Sequence, residues 1–130
     1  QVAQNYVVPH RPGAIDTRVA KHLAKSYGAR AFEVTRIAEE HALGQRLARG
    51  FPELEAEVVY AVRHEFCCTV EDFLARRTRL AFKDTKAARD ALPRVVELMG
   101  RELRWGWLQR RQQLARGIRM LEEFSSGKAT

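Results

Sequence analysis

"ELEAEVVYAVRHEFCCTVEDFLARRTRLAF", residues 53–82, places two charged side chains where hydrocarbon belongs. Successive residues of an α-helix turn by about 100°. With Arg77 set at about 100°, Val70 lies near 120°, Phe73 near 60°, Leu74 near 160° and Ala81 near 140°. Arg77 therefore stands in the middle of an apolar stripe, with Arg76 and Arg79 on its flank. The segment before it repeats the pattern with the opposite sign. With Leu54 at about 0°, Val58, Ala61 and Val62 fall near 40°, −20° and 80°, and Glu65 near 20°. A lone charge among apolar side chains costs several kcal/mol, so each of these two residues needs a partner. A very short turn joins the two helices and makes them neighbours. Arg77 and Glu65 are thus expected to form a buried ion pair that sets how the helices cross. Removing one partner of a fully buried pair would cost about 3–5 kcal/mol. The competing destination of Arg77 is a carboxylate on another domain of a longer chain.

Working outward from this segment, helical signals continue on both sides. Toward the amino end, Asp16 or Thr17 can N-cap a helix whose apolar positions are Val19, Leu23 and Tyr27, with Gly28 as its stop. A second helix is expected over about 30–40, with Phe32, Val34, Ile37 and Ala38 inward. "HALGQRLARG", residues 41–50, reads as a loop with room for one turn. Pro52 suits the first turn of a third helix that runs to about Phe66. "TVED", residues 69–72, has capping-box spacing with Asp72 in the usual Glu position, and should open a fourth helix through Leu80.

Asp84 caps a fifth helix that starts "TKAARDAL" and passes Pro93, where a kink or break is expected. Its inner face holds Val95, Val96, Met99 and Leu103. Gly106, between Trp105 and Trp107, separates it from a last helix over 107–124 carrying Leu108, Leu114, Ile118, Leu121 and Phe124. No alternating run reads as a strand. The expected architecture is an all-α bundle of five or six helices over residues 16–125. Residues 1–15, with Pro9, Pro12 and Gly13, read as an extended linker. Residues 126–130 read as a frayed tail.

Composition narrows the function classes. The chain has 130 residues, 45% hydrophobic and 30% charged, which describes one globular domain rather than a disordered segment. Its 23 Lys+Arg against 16 Asp+Glu leave a net charge of +7, which favours acidic partners. No apolar run approaches the roughly 20 residues that span a bilayer. The adjacent Cys67 and Cys68 make no disulfide framework and point to a reducing compartment. The opening "QVAQNYVVPHRPG" lacks a Met and reads as the interior of a longer chain, so a fragment is expected.

Few residues suggest chemistry. His41, His64, Cys67 and Cys68 match no common zinc spacing and read as two packed thiols and exposed histidine. Glu53, Glu55 and Glu57 read as a solvated helix face. There is no glycine-rich phosphate loop, nucleophile elbow or HExxH. No catalytic, cofactor-binding or metal-binding residue is therefore assigned to this chain. "QRRQQLARGIR", residues 109–119, is basic and amphipathic, and reads first as a surface helix with its apolar side on the core, second as a lipid-facing one.

The segment 53–82, followed by "ALPRVVELMGRELRW" (91–105) and preceded by "HLAKSYGARAFEVTRIAEE" (22–40), resembles the carboxyl-terminal domain of FAD-dependent glycerol-3-phosphate dehydrogenases, of the mitochondrial rather than the bacterial type. The likeness runs over about residues 16–125. It implies a parent enzyme that oxidises sn-glycerol 3-phosphate to dihydroxyacetone phosphate and passes electrons through FAD to a membrane quinone. FAD and substrate would sit on an amino-terminal α/β domain, and this chain would be the helical cap packed on it, inactive by itself. The implied location is the inner mitochondrial membrane, peripherally, or the cytoplasmic membrane in a prokaryote. A calcium-binding EF-hand region follows this domain in many mitochondrial members, and no DxDxDG-type loop occurs here.

In that setting Arg76 and Arg79, on the flank of the fourth helix, are the candidate contacts with the FAD domain. A homo-oligomer stays open. The alternative is a free-standing basic helical module that binds nucleic acid or anionic lipid. A groove-reading helix should expose its central basic residue, and Arg77 among Val70, Phe73, Leu74 and Ala81 argues against nucleic acid.

Overall fold

A computed structural model describes residues 16–125. The expected linker over 1–15 and tail over 126–130 lie outside the described residues. The described chain holds six α-helices and no strand: α1 (Thr17–Tyr27), α2 (Ala31–His41), α3 (Glu55–His64), α4 (Leu80–Lys83), α5 (Thr85–Leu103) and α6 (Trp107–Ser125). A π-helical turn, Asp72–Arg77, precedes α4. The chain divides into two units between Tyr60 and Ala61, a point inside α3.

In the first unit, Asp16 caps α1 by accepting a hydrogen bond from the Val19 N–H at 2.9 Å. Gly28 ends the helix at φ 55°, a left-handed conformation that glycine adopts without a Cβ clash. A 3-10 turn over Gly28–Arg30 leads into α2. The buried face of α2 is Ala31, Val34, Thr35, Ile37 and Ala38. Phe32, expected inward, is instead 51% exposed, because one residue on from Ala31 it is turned about 100° off that face.

The third helix starts later than Pro52 suggests. Residues before it run back along the loop that precedes them: the Leu47 N–H donates to the Glu53 carbonyl at 2.9 Å and the Glu55 N–H to the Gln45 carbonyl at 2.9 Å. A single antiparallel bridge pairs Arg46 with Leu54. The helix starts where Glu57 reaches back to accept the Leu54 N–H at 2.7 Å, one half of a capping box. Glu57 is only 1% exposed and Glu53 3%, so the solvated-face reading fails for both. The Glu57 carboxylate also accepts the Tyr27 hydroxyl proton at 2.8 Å, and His22 Nε2 lies 3.0 Å from its second oxygen. The Tyr27 and Tyr60 rings meet edge to face with centroids 5.1 Å apart, so the network sits against aromatic carbon.

In the second unit, Asp84 caps α5 by accepting the Ala87 N–H at 3.0 Å. The helix continues through Pro93 to Leu103 without the break that was one of the two expected outcomes there. Arg104 in the left-handed region stops it, and α6 begins at Trp107. Helices α5 and α6 pack closely at Gly117, where an added Cβ would lie 2.6 Å from Leu92 Cδ1. The buried positions of α6 are Gln113, Gly117, Met120 and Leu121. Leu108, expected inward, is 56% exposed, since it is turned about 140° from Gln113. Trp107 is exposed as well. No described helix is long and apolar enough to cross a membrane.

Two outcomes follow from these contacts. Gly117→Ala should lower unfolding free energy by about 1–2 kcal/mol, because overpacking against buried Leu92 outweighs the helix-propensity gain of alanine; urea titration reads it. Asp16→Ala should remove about 1 kcal/mol at neutral pH. The Val19 N–H and then the Arg46 guanidinium hold the Asp16 carboxyl below its ordinary value. A carboxylate with a depressed folded pKa stabilises above its unfolded value and loses that contribution as pH falls through the folded one. The difference between wild type and Asp16→Ala melts should therefore shrink toward zero as pH drops below about 4.

Candidate docking site

The site is built where α3 stops. Its last turn closes with the Glu65 N–H on the Ala61 carbonyl at 3.0 Å, and the Cys67 N–H returns to the same carbonyl at 3.1 Å. That return requires a left-handed residue between them, and the residue is Phe66 at φ 57°. Helices commonly use glycine for this purpose, since a side chain there costs about 1–2 kcal/mol. The Phe66 side chain recovers none of that by burial, because the residue is 91% exposed.

The chain then restarts through a reciprocal cap. The Asp72 N–H donates to Thr69 Oγ1 at 3.1 Å, and Asp72 Oδ2 accepts the Thr69 N–H at 3.2 Å and the Cys68 N–H at 3.2 Å. Aspartate thus performs the capping-box role that its spacing proposed. The helix does not reach Leu80. It widens into the π turn Asp72–Arg77, in which the Thr78 N–H donates to the Phe73 carbonyl at 2.9 Å, five residues back. The Thr78 hydroxyl donates to the same carbonyl at 3.1 Å and accepts the Leu80 N–H at 3.1 Å. A threonine hydroxyl that serves both sides of a break competes with regular helix and supplies its physical cause. Arg79 at φ 59° completes the reversal into α4.

This geometry brings Arg77 to Glu65, with Nε donating to Oε1 at 2.7 Å. Each side chain keeps 28% of its surface exposed, so the pair is half-buried rather than enclosed as expected. The widened turn carries Arg77 toward the rim of the stripe, while Val70, Phe73, Leu74 and Ala81 stay buried. Gln113 of α6 pins the start of the segment by accepting the Val70 N–H at 3.1 Å.

Arg76 and Arg79 lie on the outer side. Arg76 is 84% exposed and reaches back to Asp72 at 3.2 Å, a pair in water worth under about 1 kcal/mol. The Arg79 guanidinium sits over the Phe82 ring, 4.8 Å from its centroid, and Phe82 in turn lies beside Phe124. Glu65, Phe66, Cys67, Asp72, Arg76 and Arg77 together line an open pocket of about 360 Å³. Cys67 is buried in its wall and Cys68 is exposed. Burial, and after it the Asp72 carboxylate, pushes the Cys67 thiol up to about 12.

Among the described residues no group of three His, Cys, Asp or Glu side chains could hold a metal ion. His41 and His64 are exposed. The sequence reading missed Phe66 and Glu57. Glu57 had a readable signal: it falls at about −60° on the wheel that places Ala61 at −20°, close to the apolar stripe. Phe66 had none, since a left-handed aromatic cannot be told from any other loop aromatic by pattern.

What the fold and site define is a helical domain whose polar chemistry lies in caps, ion pairs and an exposed aromatic rim. The chain belongs to the family described as the C-terminal domain of alpha-glycerophosphate oxidase, whose model matches residues 1–110. It is 51% identical over 117 residues to the mitochondrial glycerol-3-phosphate dehydrogenase SDP6 of Arabidopsis thaliana, covering 90% of this chain and 19% of that protein. It is 47% identical over 112 residues to the mitochondrial glycerol-3-phosphate dehydrogenase of Mus musculus (82% of this chain, 15% of that protein). A probable mitochondrial glycerol-3-phosphate dehydrogenase of Dictyostelium discoideum is 40% identical over 108 residues (83% and 17%). The chain thus spans less than a fifth of the length of these relatives and matches only their C-terminal part. No solved structure matches it.

The site makes two measurements decisive. Arg77→Ala should destabilise by about 1–2 kcal/mol, less than a fully enclosed pair because solvent reaches the abandoned Glu65; chemical denaturation reads it. In a thiol titration with Ellman's reagent at mildly alkaline pH, one thiol, Cys68, should react at once. The second, Cys67, should react only as the protein unfolds.

Proposed function

We propose that this chain is the carboxyl-terminal helical domain of an FAD-dependent, quinone-linked mitochondrial glycerol-3-phosphate dehydrogenase. In this reading the parent oxidises sn-glycerol 3-phosphate to dihydroxyacetone phosphate and holds FAD and substrate on an amino-terminal domain outside this sequence. The chain supplies no reacting group of its own. It docks on the FAD domain through the face that carries Arg76 and Arg79, and through the parent it belongs to the inner mitochondrial membrane as a peripheral component. The observation that carries the reading is the 51% identity to a mitochondrial glycerol-3-phosphate dehydrogenase over 90% of the chain.

The geometry supports the docking role. Arg76 and Arg79 are exposed on the outer side of the π turn and α4. The central Arg77 faces inward to Glu65, which leaves the arginine triplet poorly arranged for a nucleic-acid groove. The test uses the full-length polypeptide that contains this chain. Deleting residues 16–125 should abolish glycerol-3-phosphate-dependent reduction of a soluble quinone analogue, and the double variant R76E/R79E should lower it while the melt of the 130-residue chain stays within error. Full activity in the deletion would refute the reading.

A further inference from the structure

We infer that Phe66 is the anchor of the docking interface, an aromatic knob that the fold holds out to enter an apolar socket on the amino-terminal part of the same polypeptide, with Arg76 on its rim meeting acidic groups there. The inference rests on the domain role proposed above and adds the residue on which docking turns. Three observations carry it. The first is conformational: Phe66 occupies the left-handed position that ends α3, where glycine is the ordinary choice, yet it carries a large ring that is 91% exposed. A strained residue persists where the surrounding structure holds it and clusters at functional sites. The structure that holds Phe66 is explicit. The Arg77–Glu65 bond sits on one side, and the Thr69–Asp72 cap and the Cys67 N–H on the Ala61 carbonyl sit on the other.

The second observation is the surrounding shape. Phe66 stands on an open pocket of about 360 Å³ whose wall contains buried Cys67 and whose rim contains Arg76, 84% exposed. An aromatic with an arginine beside it is the composition of an interface hot spot, and Trp, Tyr and Arg lead such sites with Phe enriched at interface cores. The third observation is length. The chain corresponds to 15–19% of relatives that it matches only in their C-terminal part, so the occupant is taken as the remainder of one polypeptide rather than a second protein. The net charge of +7 favours an acidic rim on that occupant.

Hydroxyl-radical footprinting of the full-length polypeptide and of the 130-residue chain tests this directly. Phe66 should be oxidised about tenfold more slowly in the full-length protein, the protection expected of a desolvated anchor. If other side chains of this chain become protected while Phe66 does not, the anchor is refuted and the docking role stands. If no side chain becomes protected, the docking role falls as well. A variant separates anchoring from folding. Phe66→Gly removes the backbone strain, so the melt of the 130-residue chain should hold or rise, while protection of Arg76 in the full-length protein should disappear. A Phe66→Gly full-length protein that protects Arg76 as well as wild type would overturn the proposal.

Discussion

The bond between Arg77 and Glu65 closes a loop whose ends are twelve residues apart and which contains Phe66, Cys67 and Cys68. The pocket lined by Glu65, Phe66, Cys67, Asp72, Arg76 and Arg77 is bridged by that bond. It ties the end of α3 to the π turn across the pocket, beside the left-handed Phe66. The pair is half-buried, so its net contribution to stability is small. Its larger effect is geometric: a guanidinium aimed at one carboxylate restricts the register in which the two segments approach.

The first unit depends on a different carboxylate with the same logic carried further. Glu57 is withdrawn from water, so its oxygens must be satisfied by protein. They are, by a backbone N–H at the start of α3, a tyrosine hydroxyl from α1 and the His22 ring. One side chain thereby starts a helix and ties another helix to it. The carboxylate is structural: its partners fill its lone pairs, and it has no exposed surface to offer a substrate.

Legibility in the sequence followed the range of the interaction. Asp16, Asp84 and the Thr69–Asp72 box act on N–H groups within three or four residues, and each is readable from spacing. The partnership of Arg77 with Glu65 is readable because two charges fall at incompatible angles and a short turn brings them close. The degree of enclosure is not readable, since it depends on a π turn created by the hydroxyl of Thr78. Phe32 and Leu108 were misplaced for a related reason. A hydrophobic residue on a helix is credited to the core by type, yet the packed face is chosen by whatever lies opposite. Pro93 shows the reverse case, a breaker inside a helix that carries on through it.

By itself, the sequence determined that the chain is all-helical, where most helices begin, and which family it belongs to, because caps, turn residues and apolar spacing are local and a long patterned match is specific. Only the tertiary structure decided that Glu57 is enclosed, that the segment after Thr69 widens at Phe73 and Thr78, and that Phe66 is held in solvent at a left-handed position. The enclosure of Glu57 is set by Tyr27 and His22, 30 and 35 residues away, and the two backbone outcomes by which neighbouring groups take the Ala61 and Phe73 carbonyls. The contacts that enclose Glu57 exist only once the helices have packed.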